Sequence, residues 1–309
     1  MKVSVIIPNY NTAIFLQEAI DSILQSDYDS FEVIVVDDGS KDNTPEVVAN
    51  YIHLENFRCI YQQNKGLAGA RNTGIKAASG NYLVFLDSDD IVLPAKLSMQ
   101  ARFLDCNLSY DAVYSSSAFF KDGEPGCKIE TAFPNYAGHI LQNLLYGNFI
   151  HVNSIMVRKD AVIRAGLFDE LLRELEDWDL WLRLSVAGSR FYHQDSILSE
   201  VRLRKGSMTS NQTKMNATMV RVLEKNIPAL EKIYPEDRKL HMAAKRAFFQ
   251  YKLLANQKEG FTRKLYETVS GYGLQFLPVA LKLFVKRCVA GFYSSENKTT
   301  SRLEQVWNE

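Results

Sequence analysis

The side chains best equipped for chemistry lie in short acidic clusters. Asp87-Ser88-Asp89-Asp90 sets two carboxylates one residue apart, and hard oxygen donors of this kind suit Mg²⁺ or Mn²⁺. Asp37-Asp38-Gly39-Ser40 offers acceptors for N–H or O–H donors, beside the polar run Pro8-Asn9-Tyr10-Asn11. Glu176-Asp177-Trp178-Asp179 gathers acids that could act as a general base, or could favour a helix N-terminus through capping and the dipole. Val201-Arg202-Leu203-Arg204-Lys205-Gly206-Ser207 supplies either a phosphate-binding arginine or a solvated basic loop. The five histidines show no metal-site spacing, so a zinc enzyme finds no support, and His151 and His193 read as local structural residues.

The first three clusters must be positioned by a parallel sheet. Between residues 1 and 90, short β-branched runs alternate with amphipathic stretches, the signature of βαβ units. Strands are expected at Val3 to Ile7, Phe31 to Val36, Phe57 to Tyr61 and Tyr82 to Leu86. Phe15, Leu16, Ala19, Ile20, Ile23 and Leu24 recur at helical spacing behind a Thr12 cap, and Thr44-Pro45-Glu46 opens a second helix. A third helix spans Leu67 to Ala78, and a fourth begins near Pro94. A single acidic turn after a strand is ordinarily an Asx-turn or a cap. Three polar turns at the carboxyl edge of one sheet, where α/β proteins bind ligands, point to a site.

Further along, Ala112 to Ser115 and Val152 to Val157 read as strands, Lys121 to Gly126 as a turn-rich loop, and Leu180 to Ala187 as a helix stopped by Gly188. Leu171, Leu175, Trp178 and Leu182 follow a helical repeat that predicts one buried face. From about 210 the pattern is helical, through Val220, Leu223, Ile227 and Leu230 and then Phe248, Phe249, Leu253 and Leu254. An α/β body at 1–210 and a helical region at 211–309 are therefore expected.

The chain has 309 residues, 46% hydrophobic and 23% charged, enough apolar material for a large core. Its 36 basic and 36 acidic residues balance, which removes the global electrostatic case for a nucleic-acid binder. Cys59, Cys106, Cys127 and Cys288 form no CxxC pair, so reduced thiols are expected rather than a zinc cluster or a disulfide scaffold. The run Val3 to Pro8 is too short for a signal h-region and reads as a strand. No apolar stretch is long enough for a transmembrane helix, and a cytoplasmic protein is expected. The stretch 277–293 mixes Leu, Phe and Val with Lys282, Lys286 and Arg287, and is either a packing helix or a peripheral contact with the inner face of the membrane.

Val3 to Asn11, Val35-Val36-Asp37-Asp38-Gly39-Ser40, Gly66-Leu67-Ala68-Gly69-Ala70-Arg71-Asn72, Leu86 to Asp90 and Glu176 to Asp179 appear in the order found in family 2 glycosyltransferases, which the chain resembles over about 1 to 207. The resemblance implies a GT-A fold, a Rossmann-like nucleotide-diphospho-sugar transferase domain. It also implies an inverting, metal-dependent, hexosyltransferase-type enzyme acting in cell-surface polysaccharide synthesis. The donor would be a nucleotide sugar, a UDP-sugar first, and the acceptor a saccharide or lipid-linked saccharide. By the same resemblance Asp89, with Asp87, would hold Mn²⁺ or Mg²⁺. Asp38 would accept the uracil N3–H, Pro8, Tyr10 and Arg71 would line the nucleoside pocket, and Ser88 would join the donor site. Asp177 would be the general base, and Glu176 and Trp178 would shape the acceptor pocket.

Asp90 reads separately, as a cap for the following helix. Arg204 stands where many relatives carry histidine. It cannot ligate a cation, and is assigned to the diphosphate. A dehydrogenase is disfavoured because strand one does not run into GxGxxG. The alternative from another class is a non-catalytic carbohydrate-binding or scaffold protein on the same fold, against which the retained carboxylates argue.

Overall fold

The computed structural model describes residues 2–130, 134–204 and 212–255. In chain order its elements are β1 (Val3–Asn9), α1 (Ala13–Leu24), β2 (Phe31–Asp37), α2 (Thr44–Ala49), β3 (Phe57–Tyr61), α3 (Gly66–Ala77), β4 (Tyr82–Phe85), β5 (Ile91–Val92), α4 (Lys96–Cys106), β6 (Ala112–Lys121) and β7 (Glu124–Glu130). There follow α5 (Leu141–Leu144), a 3₁₀ turn (Val152–Ser154), β8 (Ile155–Arg158), α6 (Lys159–Arg164), α7 (Glu176–Val186), β9 (Phe191–Leu203), α8 (Gln212–Ile233) and α9 (Arg238–Ala255).

Every residue of β1, β2 and β4 is buried, as expected of central strands covered on both faces. The strand order is β3-β2-β1-β4-β8-β6-β9-β5, with β7 paired to β6. The first four strands are parallel, β8 runs antiparallel to both β4 and β6, and β9 returns parallel to β6. The register sets Asn9 beside Asp37 and Ile6 beside Phe85, so the polar turns after β1, β2 and β4 open at one edge. Leu16, Ala19, Ile20 and Ile23 of α1 pack into the core against Val3, Val5, Val33 and Val35. α3 lies close on β1, where a Cβ on Gly74 would stand 2.4 Å from the Ile6 side chain.

The structure departs from the sequence reading in several places. β9, thirteen residues long, and the hairpin strand β7 were not expected. The turn-rich loop is reduced to Asp122-Gly123, with Gly123 at φ 81, where glycine avoids left-handed strain. Residues 152–154 form a 3₁₀ turn before the short strand β8. Thr12 precedes α1 but does not cap it. Its hydroxyl binds Asn9 Oδ1 and Ser88 Oγ, while Asp42 Oδ2 receives the Ala13 N–H at 2.9 Å. Thr44 is the first residue of α2 and donates to Asp42 Oδ1. Leu171 is 88% exposed and does not share the buried face of Trp178 and Leu182.

The chain divides into two compact units, Met1–Ser207 and Met208–Glu309. In the second, α8 and α9 pack on each other, with Leu223, Leu230, Ala247 and Phe249 buried. Among the described residues, no helix is long and apolar enough to cross a membrane, and Cys59 and Cys106 are free thiols. The stretch 277–293 lies outside the described residues.

Lys96, in the first turn of α4, is fully buried, and its ammonium donates to Gln100 Oε1 at 2.9 Å. Burial pulls its pKa from 10.5 down to about 7. The folded state therefore binds fewer protons than the unfolded state between those values, and this residue's contribution makes stability rise with pH by about 1.4 kcal/mol per unit there. Lys96→Met lacks this contribution. Urea unfolding at pH 7 to 10 is expected to show the variant's relative stability fall as pH rises.

Candidate active site

The turns at the strand ends are fixed by their own side chains. Asn9 donates to Thr44 Oγ1 at 2.9 Å and to Ser40 Oγ at 3.2 Å, and Asp37 Oδ1 accepts the Ser40 N–H. Asn11, at φ 54, accepts the Lys41 N–H. Asn9 and Asp37 are thereby occupied in holding the loops. Pro8 is buried in β1, and Tyr10 projects from its end, 50% exposed.

Asp38 is buried beneath the start of α3. Its Oδ1 accepts Gln62 Nε2 at 2.7 Å and the Lys65 N–H at 2.8 Å, and Oδ2 accepts the Gly66 N–H at 2.8 Å. These N–H groups belong to a helix start, which favours negative charge. A carboxylate has about four acceptor positions, so Oδ2 keeps one for a further donor.

Arg71 departs most from expectation. It does not line a pocket wall: it is 1% exposed, with Nη2 donating to Asp87 Oδ1 at 2.6 Å and Nη1 to Glu176 Oε1. Its guanidinium carbon also lies 5.4 Å from the Phe168 ring centroid. One α3 side chain thus ties the turn after β4 to the start of α7. Coulombic attraction from Asp87, Glu176 and Asp177 outweighs desolvation and holds the guanidinium charged.

Asn153 pins the turn after β4 from behind, accepting the Asp87 N–H at 2.8 Å and donating to Asp90 Oδ2. Asp90 accepts the Arg202 N–H at 2.7 Å, and α4 starts only at Lys96 with Ala95 at its cap position, so Asp90 does not cap it. Burial and the charges of Asp89 and Asp87 push its carboxyl well above the usual range. Ser88 is buried and shares a hydrogen bond with Thr12. Arg204 Nε donates to Asp89 Oδ2 at 2.6 Å. Asp89 is also raised, by burial first and by Asp87 second, against the opposing pull of Arg204.

Leu175, at φ 60, turns the chain into α7 in a left-handed conformation that a branched residue adopts only under constraint. Glu176 and Asp177 follow at once. Glu176 is buried on Arg71 and serves as its counter-ion. Burial chiefly, with Asp177 adding, pushes its pKa up to about 7 against the pull of Arg71. Asp177 is half-buried, accepting Asn148 Nδ2 at 2.8 Å and the Trp178 N–H at 2.7 Å, and burial raises its pKa. Trp178 is fully buried, with its indole N–H on the Leu144 carbonyl at 2.8 Å, so it supports the site from behind and lines no pocket. Asn148 and Asn153 were not singled out from sequence, because an asparagine in a loop carries no local signal.

Among the described residues, no three His, Cys, Asp or Glu side chains gather as a metal cluster. Asp87 Oδ2 and Asp89 Oδ1 lie outside the two arginine pairs and are hard donors. Their chemistry fits a hard divalent cation.

Residues 4–167 match Glycosyl transferase family 2. The chain belongs to that family. An uncharacterized glycosyltransferase of Rickettsia felis is 32% identical over 83% of this chain, which spans only 42% of that relative's length. Staphylococcus aureus TarS residues 1–349, solved with UDP-GlcNAc, superimposes with a TM-score of 0.60 at 21% identity, covering 81% of each chain. A mannosyltransferase of Pyrobaculum calidifontis, solved with GDP-Man and Mn²⁺, gives 0.60 at 19% identity, covering 94% of this chain and 81% of that one. These likenesses give this family 2 chain a GT-A-type, Rossmann-like α/β fold.

Removing the shared cation tests the bridge. Arg71→Met leaves Asp87 and Glu176 without it, and is expected to destabilise the protein by about 3–5 kcal/mol in urea unfolding. Adding Glu176→Gln is expected to restore part of that loss, because it removes one of the buried charges.

Proposed function

We propose that the chain is an inverting glycosyltransferase that moves a sugar from a UDP-sugar to a saccharide or lipid-linked saccharide acceptor. The observation that carries this reading is Arg71, whose two ion pairs bring the Asp87–Asp89 carboxylates and the Glu176–Asp177 carboxylates to one place. Family membership and the nucleotide-sugar complexes of the similar folds support it.

In this reading the imide N–H of uracil occupies the remaining acceptor position of Asp38, and the exposed Tyr10 covers the base. Asp87 and Asp89 would hold Mn²⁺ or Mg²⁺ beside the donor. A cation bound there neutralises charge on the departing nucleotide. Asp177, half-buried and with its pKa raised, takes the acceptor proton as the hydroxyl attacks the anomeric carbon from the face opposite the diphosphate. Asn148 orients that carboxylate, and Glu176 stays with Arg71. A single displacement inverts the anomeric centre, so an α-linked donor gives a β-linked product.

Thermal-shift titration with UDP-, GDP- and dTDP-sugars plus Mn²⁺ identifies the donor, with the UDP-sugar expected to raise Tm most. Asp177→Asn keeps the size and one acceptor oxygen, for the Trp178 N–H, but sets an amide NH2 where Oδ2 accepts from Asn148 and cannot take a proton. Its transfer rate is expected to fall by about 10² to 10⁴ while donor binding persists, and a wild-type rate would remove Asp177 from the mechanism. Asp89→Asn is expected to weaken donor binding measured with Mn²⁺, and NMR of the wild-type product reads the anomeric configuration.

A further inference from the structure

The two arginines at the end of β9 hold the turn after β4 differently. Arg202 is committed to structure: its side chain is 7% exposed, it donates to the Asp89 carbonyl at 2.9 Å, and it pairs with Asp122 and Glu18. It also stacks over Phe15 and Phe120. Arg204 is 35% exposed, rests 5.9 Å over Phe15, and directs its Nε to Asp89 Oδ2 at 2.6 Å. Asp89 is one of the two carboxylates assigned above to the donor's cation, and a guanidinium held on its Oδ2 and a divalent ion on its Oδ1 compete for the charge of one carboxylate. Arginine stays protonated in proteins, so it can yield that carboxylate only by moving.

We infer that Arg204 is a place-holder for the divalent cation. In the nucleotide-free protein it neutralises Asp89 and disfavours the metal. An arriving diphosphate offers the guanidinium a second anion, so Arg204 exchanges Asp89 for phosphate oxygens as the cation takes the carboxylate. Cation and nucleotide then bind as a coupled pair, each raising the other's affinity by the same factor. The inference rests on the proposed role of Asp87 and Asp89. Arg202 is excluded from the exchange because its own nearly buried side chain is already held by Asp122, Glu18 and the Asp89 carbonyl.

The test is an EPR titration of Mn²⁺ binding, with and without UDP, in the full-length wild type, Arg204→Met and Arg204→Lys, with urea midpoints confirming that each is folded. In Arg204→Met, affinity for Mn²⁺ alone is expected to tighten by about fivefold, and the enhancement that UDP gives is expected to shrink. Arg204→Lys keeps a competing cation and is expected to stay near wild type. If Arg204→Met binds Mn²⁺ alone no more tightly, while UDP still recruits Mn²⁺ to the wild type, the place-holder is refuted and the metal reading stands. If UDP recruits no Mn²⁺ to any of the three proteins, both fall together.

Discussion

A single buried guanidinium organises the site. Arg71 is sealed from water, so its charge is tolerable only because Asp87 and Glu176 pair with its two terminal nitrogens. The two acids are not equally placed: the Glu176 side chain is 5% exposed and depends on the arginine, while Asp87, at 29%, also reaches water. The arrangement fixes the distance between the end of β4 and the start of α7 more firmly than apolar packing would, since packing tolerates small shifts and a bifurcated ion pair does not. With Asp177 nearby, the carboxylates outnumber the cation. Burial first, with neighbouring carboxylates adding against the pull of Arg71, is why Glu176 and Asp177 titrate above their ordinary range.

Around this centre the structure uses side chains whose role is to hold other side chains. Asn153 fastens Asp87 and Asp90 at once, Asn148 fastens Asp177, and Gln62 fastens Asp38 while itself bound by Thr73. The outward groups Tyr10 and Arg204 are the more exposed ones, and each directly follows a strand rather than sitting in a long loop. Rigid support beneath and limited freedom above is the division of labour that a site for a charged, multi-part ligand requires.

The parallel half of the sheet was legible because β1, β2 and β4 are continuous apolar runs, each followed by its polar turn. The other half was not. β9 reads Phe-Tyr-His-Gln-Asp-Ser-Ile-Leu-Ser-Glu-Val-Arg-Leu, too mixed for a simple alternation, and its identity as a strand comes from pairing with β6 through two register shifts. The site residues were found by type and spacing, but their states were hidden. Arg71 carries the same letter whether it lines a surface or lies in the core, and only the arrival of Glu176 decides. Likewise Asp90 looked like a cap until Arg202 and Asn153, both distant in sequence, claimed its oxygens.

The Arg71–Glu176 pair joins residues 105 positions apart, and Asp90 meets Arg202 across 112. Closing such loops is entropically expensive, and contacts of this range form only after the intervening strands have found their places. A chain emerging from the ribosome completes α3 and β4 long before α7 and β9 exist, so for that interval the arginine and the acidic turn are present without their distant counter-ions. The turn after β4 and the start of α7 are therefore coupled through Arg71 rather than independent pieces of the fold. The Arg71–Glu176 contact can close only once α7 has been made, and the Asp90–Arg202 contact only once β9 has, so the buried charge network is completed by the last elements of the body to be synthesised.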